Sequence, residues 1–310
     1  MERLVVPFTS VEAAGAVTDL VGRGAEVVAA ALDLGQGVPL DELRDVALAA
    51  GAVRCHVFER RERLAAAFLW PAVRIGAVAV AGEPIVTALS APCIAETAVE
   101  VARLERATAV AAAETGLRAR QRLVAAVRDL APDLGLIAVA GDGPTEERNL
   151  WASVRPLGAD EPAAEAVSAR AGAAATVVVT VARGVPVALN RVTMPPAEII
   201  DSLDTIARSH GIGGRVVGGG DDAPGRRWLV RAPAAEALHR ACAAVIDRSL
   251  DTTTLAFLAE TAETWARLAR DGHWFTRLRG GCDALAAHVL EDASGEVTMT
   301  MQHSRIEVAA

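Results

Sequence analysis

The sequence predicts an α/β protein: a doubly wound parallel sheet over residues 1–140, joined to a second, α+β domain over residues 141–310. Three observations carry that prediction. Short apolar runs alternate with amphipathic stretches through the first part, the β-α-β-α rhythm of a parallel sheet covered by helices on both faces. Gly141-Asp142-Gly143-Pro144 then breaks the rhythm with turn-forming residues. Beyond it, two β-branched runs meet at Arg183-Gly184, the spacing of a hairpin, and long helical patterns follow.

Taken in order, Leu4–Phe8 is apolar and strand-like, and Ser10–Val21 has helical spacing that stops at Gly22-Arg23-Gly24. Glu26–Leu34 is a second strand, Leu40–Ala50 a helix, and Val53–Phe58 a third strand. Arg61–Val80 and Pro92–Ala107 read as helices, with a strand at Thr108–Ala113. A helix over Ala119–Leu130 and a strand over Leu134–Ala140 close the series. In the second domain, alanine-rich Glu161–Ala175 reads as a surface loop or short helix, and Thr176–Ala182 with Val185–Asn190 as the hairpin. A loop over 214–227 leads to helices at Ala234–Ser249, Thr253–Asp271 and Cys282–Leu290, then a strand pair across Glu296–Val308.

Composition excludes several function classes. Hydrophobic residues make up 52% and charged residues 23%, enough apolar surface for a substantial core. The net charge of −8 disfavours nucleic acid, whose phosphates require a basic face. No apolar run reaches the roughly 18 residues that span a bilayer, and the start of the chain lacks the pattern of a cleaved leader, so a cytoplasmic protein without a membrane partner is expected. Lysine is absent, which removes the usual Schiff-base and phosphate-clamp residue. Cys55, Cys93, Cys242 and Cys282 form no C-x-x-C pair and read as small core residues in a reducing compartment. The six histidines show no ligand spacing, so neither a metal nor a cofactor is expected.

Several segments, read in order, resemble one family. Asp33-Leu34-Gly35-Gln36-Gly37, Pro92-Cys93-Ile94-Ala95, Leu130-Ala131-Pro132-Asp133-Leu134 and Asn149-Leu150-Trp151 are similar to stretches of argininosuccinate synthases. Gly184-Val185-Pro186-Val187-Ala188-Leu189-Asn190, His210-Gly211-Ile212-Gly213 and Asp271-Gly272-His273-Trp274-Phe275 continue the likeness. No single segment is specific; their order and spacing carry the resemblance. It implies a Rossmann-like first domain of the adenine nucleotide alpha hydrolase type. The activity it implies joins citrulline to aspartate while ATP is cleaved to AMP and pyrophosphate.

Motif positions depart from that family's pattern. Its S-G-G-L-D-T-S pyrophosphate loop, where glycines let backbone amides approach phosphate, falls on Thr9-Ser10-Val11-Glu12-Ala13-Ala14-Gly15. This fits a capping box instead, with Thr9 at N-cap and Glu12 at N3, which would satisfy the helix's own amides and close the phosphate seat. Aligned without gaps, the family's H-G-x-T-G-K-G-N-D-Q-V-R-F-E falls on Ala111 through Val124, retaining Arg122 among its polar positions. The citrulline-contact positions fall on Gly218-Gly219-Gly220-Asp221 and on Val230 and Arg231. A shorter connection before Asn149 and an end near Val308, ahead of the family's C-terminal extension, argue against its tetramer and leave a homodimer.

These departures lead to an expectation of lost ATP-dependent ligation, a pseudoenzyme repurposed to bind a metabolite or partner in a specialised bacterial pathway. An ATP-independent enzyme is the second reading and a retained ligase the third. Candidate catalytic residues are Glu12, Glu114 and Arg122. Arg118, Arg120, Arg122 and Arg231 are candidate ligands for a small anionic or amino-acid-like molecule, since guanidinium forks suit carboxylates and phosphates. All but Arg231 are expected around the carboxyl ends of the parallel strands. The bland alternative is a solvated, charge-mixed surface over a filled cleft.

Overall fold

The computed structural model describes residues 2–77, 79–80, 83–85, 87–113, 116–139, 147–158, 160–162, 173–218 and 227–309. The chain divides into two compact units. The first comprises Met1–Leu64, Ala88–Thr145 and Leu268–Arg277, the second Ala65–Thr87, Glu146–Arg267 and Leu278–Ala310. The Gly141–Pro144 break lies outside the described residues.

In the first unit five parallel strands form one sheet: β1 (Arg3–Phe8), β2 (Glu26–Asp33), β3 (Arg54–Glu59), β4 (Ala109–Ala112) and β5 (Gly135–Ala138), in the order β3-β2-β1-β4-β5. The central strands are apolar along their length because helices cover both faces, so neither face meets water. Every residue of β4 is buried, as is every residue of β1 after Arg3. The register pairs Leu4 with Val27 and Ala109. Helices α1 (Ala14–Gly22), α2 (Leu40–Ala49), α3 (Ser90–Glu105) and α4 (Leu117–Leu130) occupy the crossovers. Val17, Leu20, Leu43 and Ala47 pack with Leu4, Val6 and Phe8 in one core, each large side chain contributing about 1.5–3 kcal/mol through burial.

The second unit is α+β. Strands β6 (Glu147–Asn149) and β7 (Ala152–Pro156) join β11 (Gly214–Gly218) and β12 (Arg227–Arg231) in an antiparallel sheet ordered β11-β12-β7-β6. The 214–227 stretch is therefore not a loop throughout: its ends are strands, and β12 pairs with β7, Leu229 opposite Arg155. Short strands whose partners lie far away in sequence give little local signal. Strands β8 (Ala175–Ala182), β9 (Val185–Leu189), β10 (Val192–Thr193), β13 (Gly295–Gln302) and β14 (Arg305–Ala309) form a further sheet, ordered β10-β9-β8-β13-β14. Here the hairpin is as expected. Arg183 (φ 54°) and Gly184 (φ 75°) both take the left-handed conformation a two-residue turn needs. The alternating burial of β8 and β13 follows from having one face on the core.

Helix α5 (Pro196–Ser209) lies where the sequence reading placed no element, α6 (Pro233–Ser249) and α7 (Thr252–Arg270) cover the expected segments, and α8 (Arg277–Val289) begins ahead of the expected Cys282. The 61–80 stretch does not stay one helix. It runs as Arg61–Leu64, a π turn at Ala65–Leu69 and Trp70–Ile75, then stops at left-handed Gly76. Cys93, Cys242 and Cys282 are buried and Cys55 half-buried, all four as free thiols. Burial pushes the Cys93 and Cys242 thiols up to about 12, consistent with packing rather than reactive roles.

Candidate functional site

Ligands of open parallel sheets bind at the carboxyl ends of the strands, and the loops there are shaped largely by backbone bonds. After β1 the chain does not form the predicted capping box. Ser10, extended at φ −150° and ψ 158°, is the N-cap of a 3₁₀ turn over Val11–Ala13, with no side-chain cap hydrogen bond. The Ala13 amide donates to the Ser10 carbonyl at 3.3 Å. That tight turn leaves Thr9 one residue outside the helix start, and Glu12 is solvent-exposed. The seat is not closed by its own side chains in the way the sequence pattern predicted.

After β2, the Asp33-Leu34-Gly35-Gln36-Gly37 loop folds on itself. The Gln36 amide nitrogen donates to the Leu32 carbonyl, and its oxygen accepts from the Leu34 amide, both at 2.6 Å. Asp33 Oδ1 accepts from the Gly35 amide at 2.8 Å. Gly35 (φ 84°) and Gly37 (φ 88°) allow the reversals, since a side chain at either would be strained. The sequence marks this motif for the resemblance but not for its geometry; a Gln three residues after Asp33 is the available signal.

After β3, Arg60 lies over the Phe58 ring, 4.6 Å from its centroid, and donates to Thr97 Oγ1 at 3.1 Å and Glu100 Oε2 at 2.5 Å. Arg63 engages Glu96 through both Nε and Nη2. These contacts tie the outer strand to α3, and no reading of the sequence alone singled them out.

After β4, Glu114 lies outside the described residues, and Gly116 begins α4. Arg118, Arg120 and Arg122 are half-buried near its start. Arg120 donates to the Val139 carbonyl at 2.8 Å, fastening α4 to the exit of β5. Arg122 donates to the Arg270 carbonyl at 3.0 Å. A Cβ on Gly272 would lie 2.5 Å from the Arg122 carbonyl oxygen, so this contact depends on glycine there. Arg120 and Arg122 thus hold backbone. Arg118, in the first turn of α4, is the one of the three nearest in sequence to the end of β4. Arg231 ends β12 in the second unit.

Also in the second unit, Asn149 is 4% exposed and accepts hydrogen bonds from the Trp151 and Ala152 amides at 3.2 and 3.1 Å. The Asn149-Leu150-Trp151 motif is thus a turn with its tryptophan fully buried. The Arg155 guanidinium beside Glu161 holds that carboxyl down to about 2. Among the described residues no three His, Cys, Asp or Glu side chains converge as metal ligands, and no helix is long and apolar enough to cross a membrane.

What emerges is an α/β nucleotide-type sheet with its loops gathered at the carboxyl ends, followed by an α+β domain. Residues 9–150 match the family model described as the arginosuccinate synthase N-terminal HUP domain, and residues 162–310 match the arginosuccinate synthase C-terminal domain. The argininosuccinate synthase of Rubrobacter xylanophilus is 30% identical over 93% of this chain and 80% of its own length. That of Pelotomaculum thermopropionicum is 30% identical over 90% and 79%, and one from Desulfitobacterium hafniense 28% over 92% and 81%. The chain belongs to the argininosuccinate synthase family.

This corrects the expectation of a pseudoenzyme. Both domain models match, and the relatives spanning nearly the whole chain bear the synthase's name; nothing shows the loss of activity inferred from motif positions. The physical argument for that loss also weakens, because the capping box meant to close the phosphate seat does not form. At about 30% identity, ungapped placement of a motif is a poor guide to which side chain occupies a given point in space.

Proposed function

We propose that the protein is an argininosuccinate synthase: citrulline, aspartate and ATP give argininosuccinate, AMP and pyrophosphate. The observation that supports this best is the joint match of both family domains, over residues 9–150 and 162–310, with relatives of that name spanning 79–81% of their own lengths. The chemistry is coherent. A ureido oxygen is a poor leaving group, and transfer of AMP from ATP to that oxygen, with release of pyrophosphate, makes it one. The aspartate amine then takes its place at the ureido carbon as AMP departs.

Without lysine, charge on the anionic substrates must be met by guanidinium groups and backbone amides. We assign Arg118 to this task for its place in the first turn of α4, directly after the β4 loop at the carboxyl end of the sheet. The turn after β1, free of a side-chain cap, supplies amides. Arg231 is the corresponding assignment in the second unit. An ATP-consuming ligase draws on the cytoplasmic nucleotide pool, and we assign the protein to that compartment.

The test is direct. Purified protein is incubated with citrulline, aspartate and MgATP, and argininosuccinate, AMP and pyrophosphate are quantified together. Equimolar formation of all three, each dependent on both amino acids, is the expected result. No product above a heat-inactivated control sinks the assignment.

A further inference from the structure

A groove in the second unit runs across one face of α6. Ala235, His239, Ala243 and Asp247 recur every four residues along this helix and so share a side. They line a cavity of about 560 Å³ together with Gly213, Arg215 and Val308. His239, Ala243 and Asp247 also line a second cavity, of about 320 Å³. Its other walls include Val73, Ile75, Leu255 and Leu258. The two cavities are thus lobes that share the same three side chains, one lined by charges of both signs and one mainly by aliphatic side chains, with Glu263 also on its wall.

The charges on the rim are of both signs. Glu236 and Arg240 satisfy each other at 3.3 Å, one helical turn apart. Arg215 and Asp247 make no ion pair with a described residue, which leaves one cation and one anion at the mouth of the same lobe. Between the lobes the His239 ring is half-buried with no hydrogen-bond partner among the described residues, and burial lowers its pKa, keeping the imidazole neutral. The wall opposite is pared down. Gly213 adopts φ +73°, and a Cβ there would lie 2.6 Å from the backbone of Ala232 and Pro233. Small residues at 213, 232, 235 and 243 leave the groove open rather than filled.

We propose that this groove binds a zwitterionic α-amino acid with an aliphatic side chain. Its carboxylate meets the Arg215 guanidinium and its ammonium meets Asp247. The side chain passes His239 and Ala243 into the lobe of Val73, Ile75, Leu255 and Leu258. A neutral imidazole at the junction offers one donor and one acceptor without biasing the site toward either charge. The proposal does not rest on the proposed ligation and stands whether or not that activity is found.

Isothermal titration calorimetry of the full chain with L-leucine tests it, using 3-methylbutylamine and 4-methylpentanoate as analogues that each lack one charge. L-leucine is expected to bind with a Kd of about 1 mM, as an open, partly solvated site allows. Arg215→Ala and Asp247→Ala should each weaken it about tenfold or more, and so should loss of either ligand charge. Both positions are exposed, so unchanged melting temperatures will show that the variants fold. The proposal is overturned if L-leucine gives no saturable heat, if either variant binds it as wild type does, or if either analogue binds equally well.

Discussion

At the amino-terminal end of the parallel sheet, Glu105 is 7% exposed and gathers cations from the beginnings of two strands, β1 and β3. Arg54 Nη1 and His56 Nε2 each approach its Oε1 at 2.7 Å, and Arg3 Nη1 lies 3.4 Å from Oε2 while also bonding Glu26. At the carboxyl-terminal end, the loops after β2 and β5 are held instead by side chains bonded to main chain: Asp33, Gln36 and Arg120. The difference fits the work each end does. A ligand's charge would compete with an ion-pair network for the same partners. Backbone-directed bonds fix a loop's shape without an ion pair that a ligand's charge would disrupt. The exceptions, Arg60 with Glu100 and Phe58 and Arg63 with Glu96, follow the outermost strand.

Four experiments test this contrast. The largest effect is expected at the ligand end: Arg118→Ala should lower kcat/KM for argininosuccinate formation about 100-fold with little change in melting temperature, the loss typical of one charge-stabilising donor. A comparable fall in stability would instead make Arg118 another fastener like Arg120. Next, at the opposite end, Glu105→Ala should reduce unfolding free energy by about 2 kcal/mol in denaturant titrations. This is below the cost of breaking a fully buried pair because Arg3 and Arg54 are partly solvated. Activity per folded molecule should not change.

Gln36→Leu should cost about 1 kcal/mol by leaving the Leu32 carbonyl and Leu34 amide without their partner. It should also raise the KM for at least one substrate, which Glu105→Ala should not. An unaltered KM would separate that loop from the site. The smallest effect is a pH dependence. The hydrogen bond from His56, followed by that from Arg54, holds the Glu105 carboxyl below the usual carboxylate range. Its folded-state pKa is therefore depressed. The resulting stability is fully present above the unfolded value, about 4.3, and is lost as pH falls below it through the folded value. Denaturant titrations at pH 6 and pH 3.5 should differ less in Glu105→Gln than in wild type, and equal differences would deny the carboxylate this role.

Much of the first unit was legible in the sequence because its signals are local. A run such as Val27 to Leu32 is apolar at every position, as a strand covered on both faces must be, and Leu43 and Ala47 mark a helix face by their spacing. The candidate site was less legible. Thr9-Ser10-Val11-Glu12 satisfies the pattern of a capping box, yet a 3₁₀ turn beginning at Ser10 takes its place. Arg122 was singled out for chemistry, yet its Nε is bonded to a carbonyl 148 residues away. Glu105 drew no notice as the last residue of a helix, because its importance comes from β1 and β3 arriving beside it.

The sequence by itself determined the succession of strands and helices, the Arg183-Gly184 turn and the family to which the chain belongs. Each of these rests on residues near one another in the chain, or on their order along it. Only the tertiary structure decided that 214–218 and 227–231 are strands, which arginines hold backbone, and that the turn after β1 lacks a side-chain cap. The first two outcomes depend on groups brought together from other parts of the chain. A hydrogen bond is won by whichever partner the fold places within about 3 Å, and no local pattern records that distance.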